Sequence, residues 1–206
     1  MSSKIYDCIE LIGNRIIENK EFLTELDREI GDADHGINMA RGFTEVLNVL
    51  DKDSEDIGAL LKKTGMTLLS KVGGASGPLY GTAYMQAGKV CAGKTELSAE
   101  DGKEIFEAVI AGIQKRGKAE RGEKTMLDAI IPAYESYSTA IENGVSTEEA
   151  LGIMCVAAED GVEFTKTIIA TKGRASYLGE RSIGHQDPGA TSATITMEAI
   201  RDFVKG

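Results

Sequence analysis

A helical period runs through this chain almost from end to end, and it constrains the fold more than any other feature. Apolar residues recur at three- and four-residue spacing, first as Ile5, Ile9, Ile12 and Ile16, then as Met39, Phe43, Val46 and Leu50. Further runs are Ile57 to Leu69, Leu79 to Met85, Ile105 to Ile113, Met126 to about Glu142, Leu151 to Val162 and Ile195 to Phe203. No segment sustains the alternation of a half-buried strand, so the pattern predicts an all-α bundle of about eight helices forming a single unit over 1–206.

Local signals punctuate these runs. Ser54 is a candidate cap, and Pro78 and Pro188 suit first helical positions. Ser98 to Asp101 resembles a capping box, Ser146 to Glu149 matches the pattern better, and Pro132 marks a kink or a helix start. Short connections favour antiparallel neighbours, which sends alternate loops to one end of the bundle. Those loops are 27–38, 72–78, 117–125 and 172–189, and glycines, aspartates, histidines and uncommon polar residues concentrate in them.

The first loop places Asp27, Asp32 and Asp34 around Gly31. Three carboxylates on one turn repel each other unless a cation sits among them, and hard oxygen donors suit Mg²⁺ or Ca²⁺. Read alone, the cluster serves equally well as a capping loop, and the EF-hand spacing is absent. The second loop, Gly73 to Gly77, lets backbone approach a ligand closely and leads into a helix N-terminus, where amide groups hold phosphate, although it is not a Walker loop. The third holds Lys124 and Thr125, which read as phosphate contacts or as an exposed lysine beside a helix cap, and Met126, which reads as an adenine contact or as core. The fourth carries Arg174 and Arg181, suited to phosphate, and ends in Asp187-Pro188-Gly189. His35 and His185 both fall at this end.

Composition narrows the partners. The formal net charge of -10, without a basic run, argues against nucleic acid. The 42% hydrophobic content suits a soluble globular chain, and Cys8, Cys91 and Cys155 lack metal or disulfide spacing, as expected of reduced core residues in a cytoplasmic protein. No stretch is apolar enough for a membrane span, and the N-terminus lacks a leader pattern. A metal loop, a phosphate loop and an arginine loop at one end of a bundle point to a Mg-nucleotide held without a Walker motif.

Four segments, Asp27 to Met39, Gly73 to Thr82, Lys124 to Ala129 and Gly173 to Ala190, together resemble the nucleotide-binding L subunit of dihydroxyacetone kinase. The resemblance implies a closed barrel of eight antiparallel helices with ADP or ATP and two Mg²⁺ ions at one end. It places the metal ligands on Asp27, Asp32 and Asp34. Nucleotide contacts fall on His35, Gly36, Ile37, Asn38, Ala75, Ser76, Gly117, Met126, Arg174, Asp187, Pro188 and Gly189, with Arg174 also offsetting charge in catalysis. Ala33 departs from the family motif, which commonly has Gly there. The implied activity is phosphoryl transfer to dihydroxyacetone on a separate K subunit, with recharging by a phosphohistidine carrier, the M subunit of the phosphotransferase system. The alternatives are an ATP-exchanging kinase subunit for another small ketose or a fatty acid, or a nucleotide-state sensor acting on a transcriptional regulator.

Overall fold

The helical period translates into nine α-helices and one 3₁₀ segment over residues 3–206, which the computed structural model describes, with no strand among them. They are α1 (Lys4–Glu18), α2 (Lys20–Ile30), α3 (His35–Val49), α4 (Ile57–Lys71), α5 (Ser76–Val90), α6 (Ala99–Gly117), α7 (Leu127–Glu142), α8 (Thr147–Thr165) and α9 (Pro188–Lys205), with the 3₁₀ segment spanning Arg174–Ser182. Eight of these form a ring. α1 packs on α3, each helix from α3 to α9 packs on the next, and α9 returns to α1. The eight expected helices are therefore α1 and α3 to α9, and the barrel closes.

The apolar stripes meet inside the ring, where Ile9, Phe43, Leu68, Leu127 and Met154 are all 0% exposed. Each such side chain contributes roughly 1.5–3 kcal/mol relative to exposure. α4 and α5 approach closely: a Cβ on Gly65 would fall 2.7 Å from the Gly81 carbonyl, so only glycine permits that spacing. No helix among the described residues is long and apolar enough to cross a membrane. Cys91 and Cys155 are buried and Cys8 is half-buried, all unbridged, and burial pushes the Cys8 thiol up to about 12.

Several local expectations shift. The helical pattern leaves 17–26 unassigned, but α2 occupies Lys20–Ile30, packs on α3 and α9, and shrinks the 27–38 loop to 31–34. Asp27 consequently lies in the last turn of a helix. Asp56 rather than Ser54 caps α4, its carboxylate accepting from Ala59 N at 2.9 Å. α5 begins at Ser76, so Pro78 is its third residue, which the helix tolerates because its first amides have no intrahelical acceptor. Ser98 and Asp101 form the complete capping box, whereas at Ser146 only the bond from Glu149 N is made. Pro132 lies inside α7 and leaves the Asp128 carbonyl without its helical donor; that carbonyl instead faces α8, where a Cβ on Gly161 would lie 2.1 Å from it.

Candidate functional site

All four loops emerge at one end, as the short connections require, and the aspartate turn is built around Asp27. Its Oδ2 accepts from Asp34 N at 2.8 Å and from His35 N at 3.1 Å, folding the turn back over the end of α2. A Cβ on Gly31 would meet Asp27 Oδ1 at 2.1 Å, so the turn demands glycine there. One carboxylate oxygen each from Asp27, Asp32 and Asp34 lie within 4.8 Å of one another. That spacing suits a hard divalent cation bound through oxygens. Arg174 Nε meets Asp32 Oδ2 at 2.9 Å, so the arginine loop reaches the aspartates directly. Ala33 has φ 59°, a left-handed conformation that favours glycine.

Beside this cluster lies a cavity of about 360 Å³, within the range of small-molecule sites. Its polar wall includes His35 and Ser76, and Ala75 and Gly117 line it with apolar Leu79, Ile113 and Met126. Asp187, Pro188 and Gly189 close the other side. Gly36, Ile37, Asn38 and Arg174 do not line it. Gly36 instead packs on α2, where a Cβ would fall 2.1 Å from the Lys20 carbonyl, and Ile37 is exposed. Asn38 accepts from Arg41 at 2.8 Å and lies against Gly73.

His35 joins the cavity to the core. Its Nδ1 lies 2.9 Å from Ser76 Oγ and its Nε2 2.9 Å from Ser192 Oγ, while the Tyr80 hydroxyl is 2.7 Å from the same Ser192 oxygen. Ser192 Oγ also lies 3.1 Å from the Gly189 carbonyl, to which it can donate. The imidazole thus bridges Ser76 and Ser192, the sense of each bond following its tautomer. Burial, opposed by the nearby Asp27, holds the imidazole down to about 4, and His35 is neutral at pH 7. Asp187 caps α9, accepting from Ala190 N at 2.7 Å, and burial pushes its carboxyl up to about 7.

Lys124, open to reading as an exposed lysine, is 2% exposed and lines the cavity. Its ammonium donates to the Thr165 and His185 carbonyls. Asp128, which the motif reading leaves without a role, organises the same loop: its carboxylate accepts from Gly122 N and, at 2.8 Å, from Thr125 N, while Thr125 Oγ1 accepts from Leu127 N at 3.2 Å. The available signal was the Thr-x-x-Asp spacing of a helix cap. Tyr80 and Ser192 carried no signal, because each reads as ordinary helix interior. His185 lies apart from the cavity lining, its Nδ1 2.9 Å from Glu29.

Known proteins bear on this geometry. Residues 29–202 match the family described as DAK2 domain. The chain is 47% identical over 199 residues to the PEP-dependent dihydroxyacetone kinase, ADP-binding subunit DhaL, of Escherichia coli, covering 96% of this chain and 95% of that protein. It is 42% identical over 200 residues to the PTS-dependent dihydroxyacetone kinase, ADP-binding subunit DhaL, of Lactococcus lactis, covering 95% and 96%. The crystal structure of the dihydroxyacetone kinase from C. freundii in complex with AMP-PNP and Mg²⁺ superimposes with a TM-score of 0.71 at 25% identity, over 96% of this chain and 33% of that one. Helical ring, family match and near full-length likeness agree: this chain belongs to the DAK2-domain family, that of the ADP-binding L subunits of dihydroxyacetone kinases.

Proposed function

We propose that this chain is the ADP-binding subunit of a phosphotransferase-dependent dihydroxyacetone kinase, a single nucleotide-binding domain acting in the cytoplasm with a K subunit and a phosphohistidine carrier. The observation that carries the reading is the junction at His35: its backbone amide is tied to the aspartate cluster and its ring lines the nucleotide-sized cavity. Base and ribose would occupy the apolar wall of Leu79, Ile113 and Met126, leaving the phosphates at the N-terminus of α5 and facing the aspartates.

Asp27, Asp32 and Asp34 would hold two Mg²⁺ ions, which would supply the charge neutralisation that phosphoryl transfer needs. The chain's own residues supply position. The amides at the start of α5 are free for phosphate oxygens, aided by the helix dipole. Neutral His35 is hydrogen-bonded to Ser76 and so orients that hydroxyl at the same helix start. Arg174, half free of Asp32, is placed to offset charge on a phosphoryl group in transit. No general base from this chain is required, because the acceptor would be held on the K subunit.

The test is reconstitution with purified K subunit and phosphorylated carrier. Phosphorylation of dihydroxyacetone that requires this chain, the carrier and catalytic amounts of ADP is expected. Nucleotide binding without transfer would make the chain a sensor, and turnover from free ATP without the carrier would make it a conventional kinase subunit.

A further inference from the structure

Lys124 is an ammonium in a place that packing alone does not explain. It is 2% exposed, sits on a backbone with φ 62°, and forms no ion pair among the described residues. Burying an unpaired ammonium is costly, and an apolar side chain of similar length would fill the same volume without that penalty. Its contacts show what it joins. One N–H reaches the Thr165 carbonyl at the end of α8, and another reaches the His185 carbonyl in the segment that enters α9. Thr165 Oγ1 in turn accepts from Asp187 N at 3.0 Å. A single side chain thus fastens the loop before α7, the end of α8 and the Asp187–Gly189 turn to one another.

We propose that Lys124 is a positioning residue for nucleotide binding: its bonds to the Thr165 and His185 carbonyls hold the Asp187–Gly189 turn against the cavity, and its buried positive charge favours Asp187 as a charged acceptor there. This rests on the reading of the cavity as the nucleotide site. The charges around Asp187 support it. Burial pushes the Asp187 carboxyl up and Asp128 at the start of α7 adds to that effect, while the hydrogen bond from Ala190 N, the charge of Lys124 and the bond from Gly189 N oppose it. Tyr80 of α5 faces Asp187 with a buried, neutral phenol, and His35 of α3 lines the same cavity as a neutral imidazole. Among these groups Lys124 is the cation. Desolvation lowers the Lys124 ammonium's pKa, and Asp187 and Asp128 in return oppose that pull. Without Lys124, Asp187 takes up a proton at higher pH, and the protonated carboxyl accepts more weakly from Ala190 N and from any ligand donor.

The experiment is calorimetric binding of ADP with Mg²⁺ from about pH 6 to about pH 9, across the carboxyl's shifted range, for the full chain and for Lys124→Gln. The unsubstituted protein should bind more weakly as the pH falls through the Asp187 midpoint. Lys124→Gln should weaken binding about tenfold or more near pH 7, the scale of one lost charge-assisted hydrogen bond, and should move the midpoint to higher pH. Lys124→Met, which leaves no buried polar group behind, serves in the same assay if the glutamine variant does not fold. Binding unchanged by the substitution, or weakened by the same factor at every pH, would overturn the proposal and leave Lys124 a packing residue. An unsubstituted protein that binds no ADP at any pH would instead overturn the nucleotide-site reading, and the inference with it.

Discussion

Ala33 carries a side chain where the backbone, at φ 59°, favours none. The conformation is imposed by its neighbours, since Asp27 Oδ2 draws in the amides of Asp34 and His35. Ala33→Gly should therefore stabilise the protein by about 1 kcal/mol in urea unfolding, and equal or lower stability would contradict the strain. Asp32→Asn should weaken Mg²⁺-dependent ADP binding severely with a near-native helical circular dichroism spectrum; ADP retained as before would sink the metal assignment. The gathering of the three aspartate carboxylates was legible because they fall within eight residues of chain. Lys124 was not, because its acceptors are carbonyls contributed by segments 41 and 61 residues away, and a carbonyl leaves no mark in a sequence.

Helices with apolar stripes were read at nearly their true bounds, whereas α2 was not. Its buried face consists of Leu23, Thr24, Asp27 and Ile30, so half of the positions that mark the helical period are polar. Those same polar positions hold the turn: Asp27 accepts from the Asp34 and His35 amides, and Thr24 lies against Gly36. The contact between α2 and α3 is close enough to test. A Cβ at Gly36 would lie 2.1 Å from the Lys20 carbonyl, a backbone atom that cannot swing aside, so Gly36→Ala should cost about 2–3 kcal/mol and loosen the start of α3. Wild-type stability for that variant would show that the two helices are not held at this distance. At the far end, Ser98→Ala should cost about 1 kcal/mol through loss of the bond that the Ser98 hydroxyl accepts from Asp101 N, while the bond from Ser98 N to the Asp101 carboxylate remains, measured the same way.

Over the whole molecule, ring order and the shared end of the loops followed from helix count and short connections, while the buried network of His35, Ser192, Tyr80 and Asp187 depends on which helices become neighbours across the ring. That network makes the pH response a difference of opposing effects. Burial lowers His35 from 6.5 to about 4, so the folded protein binds fewer protons there than the unfolded chain, and stability is lost as pH falls through that window. Burial raises Asp187 from 3.8 to about 7, so the folded protein binds more protons, and stability is lost as pH rises from near 4 to near 7. The two oppose each other between about pH 4 and about 6.5, and Asp187→Asn in nucleotide-free, chelator-treated protein should expose the His35 effect as a steeper loss of stability on acidification. The central claim, that this end of the barrel holds ADP as a resident coenzyme, is tested most directly by denaturing freshly purified protein and identifying what it releases, before and after incubation with excess labelled ATP. Stoichiometric ADP that resists exchange is expected; ready replacement by ATP would contradict the coenzyme role, and no nucleotide even after adding Mg²⁺ and ADP would contradict the site.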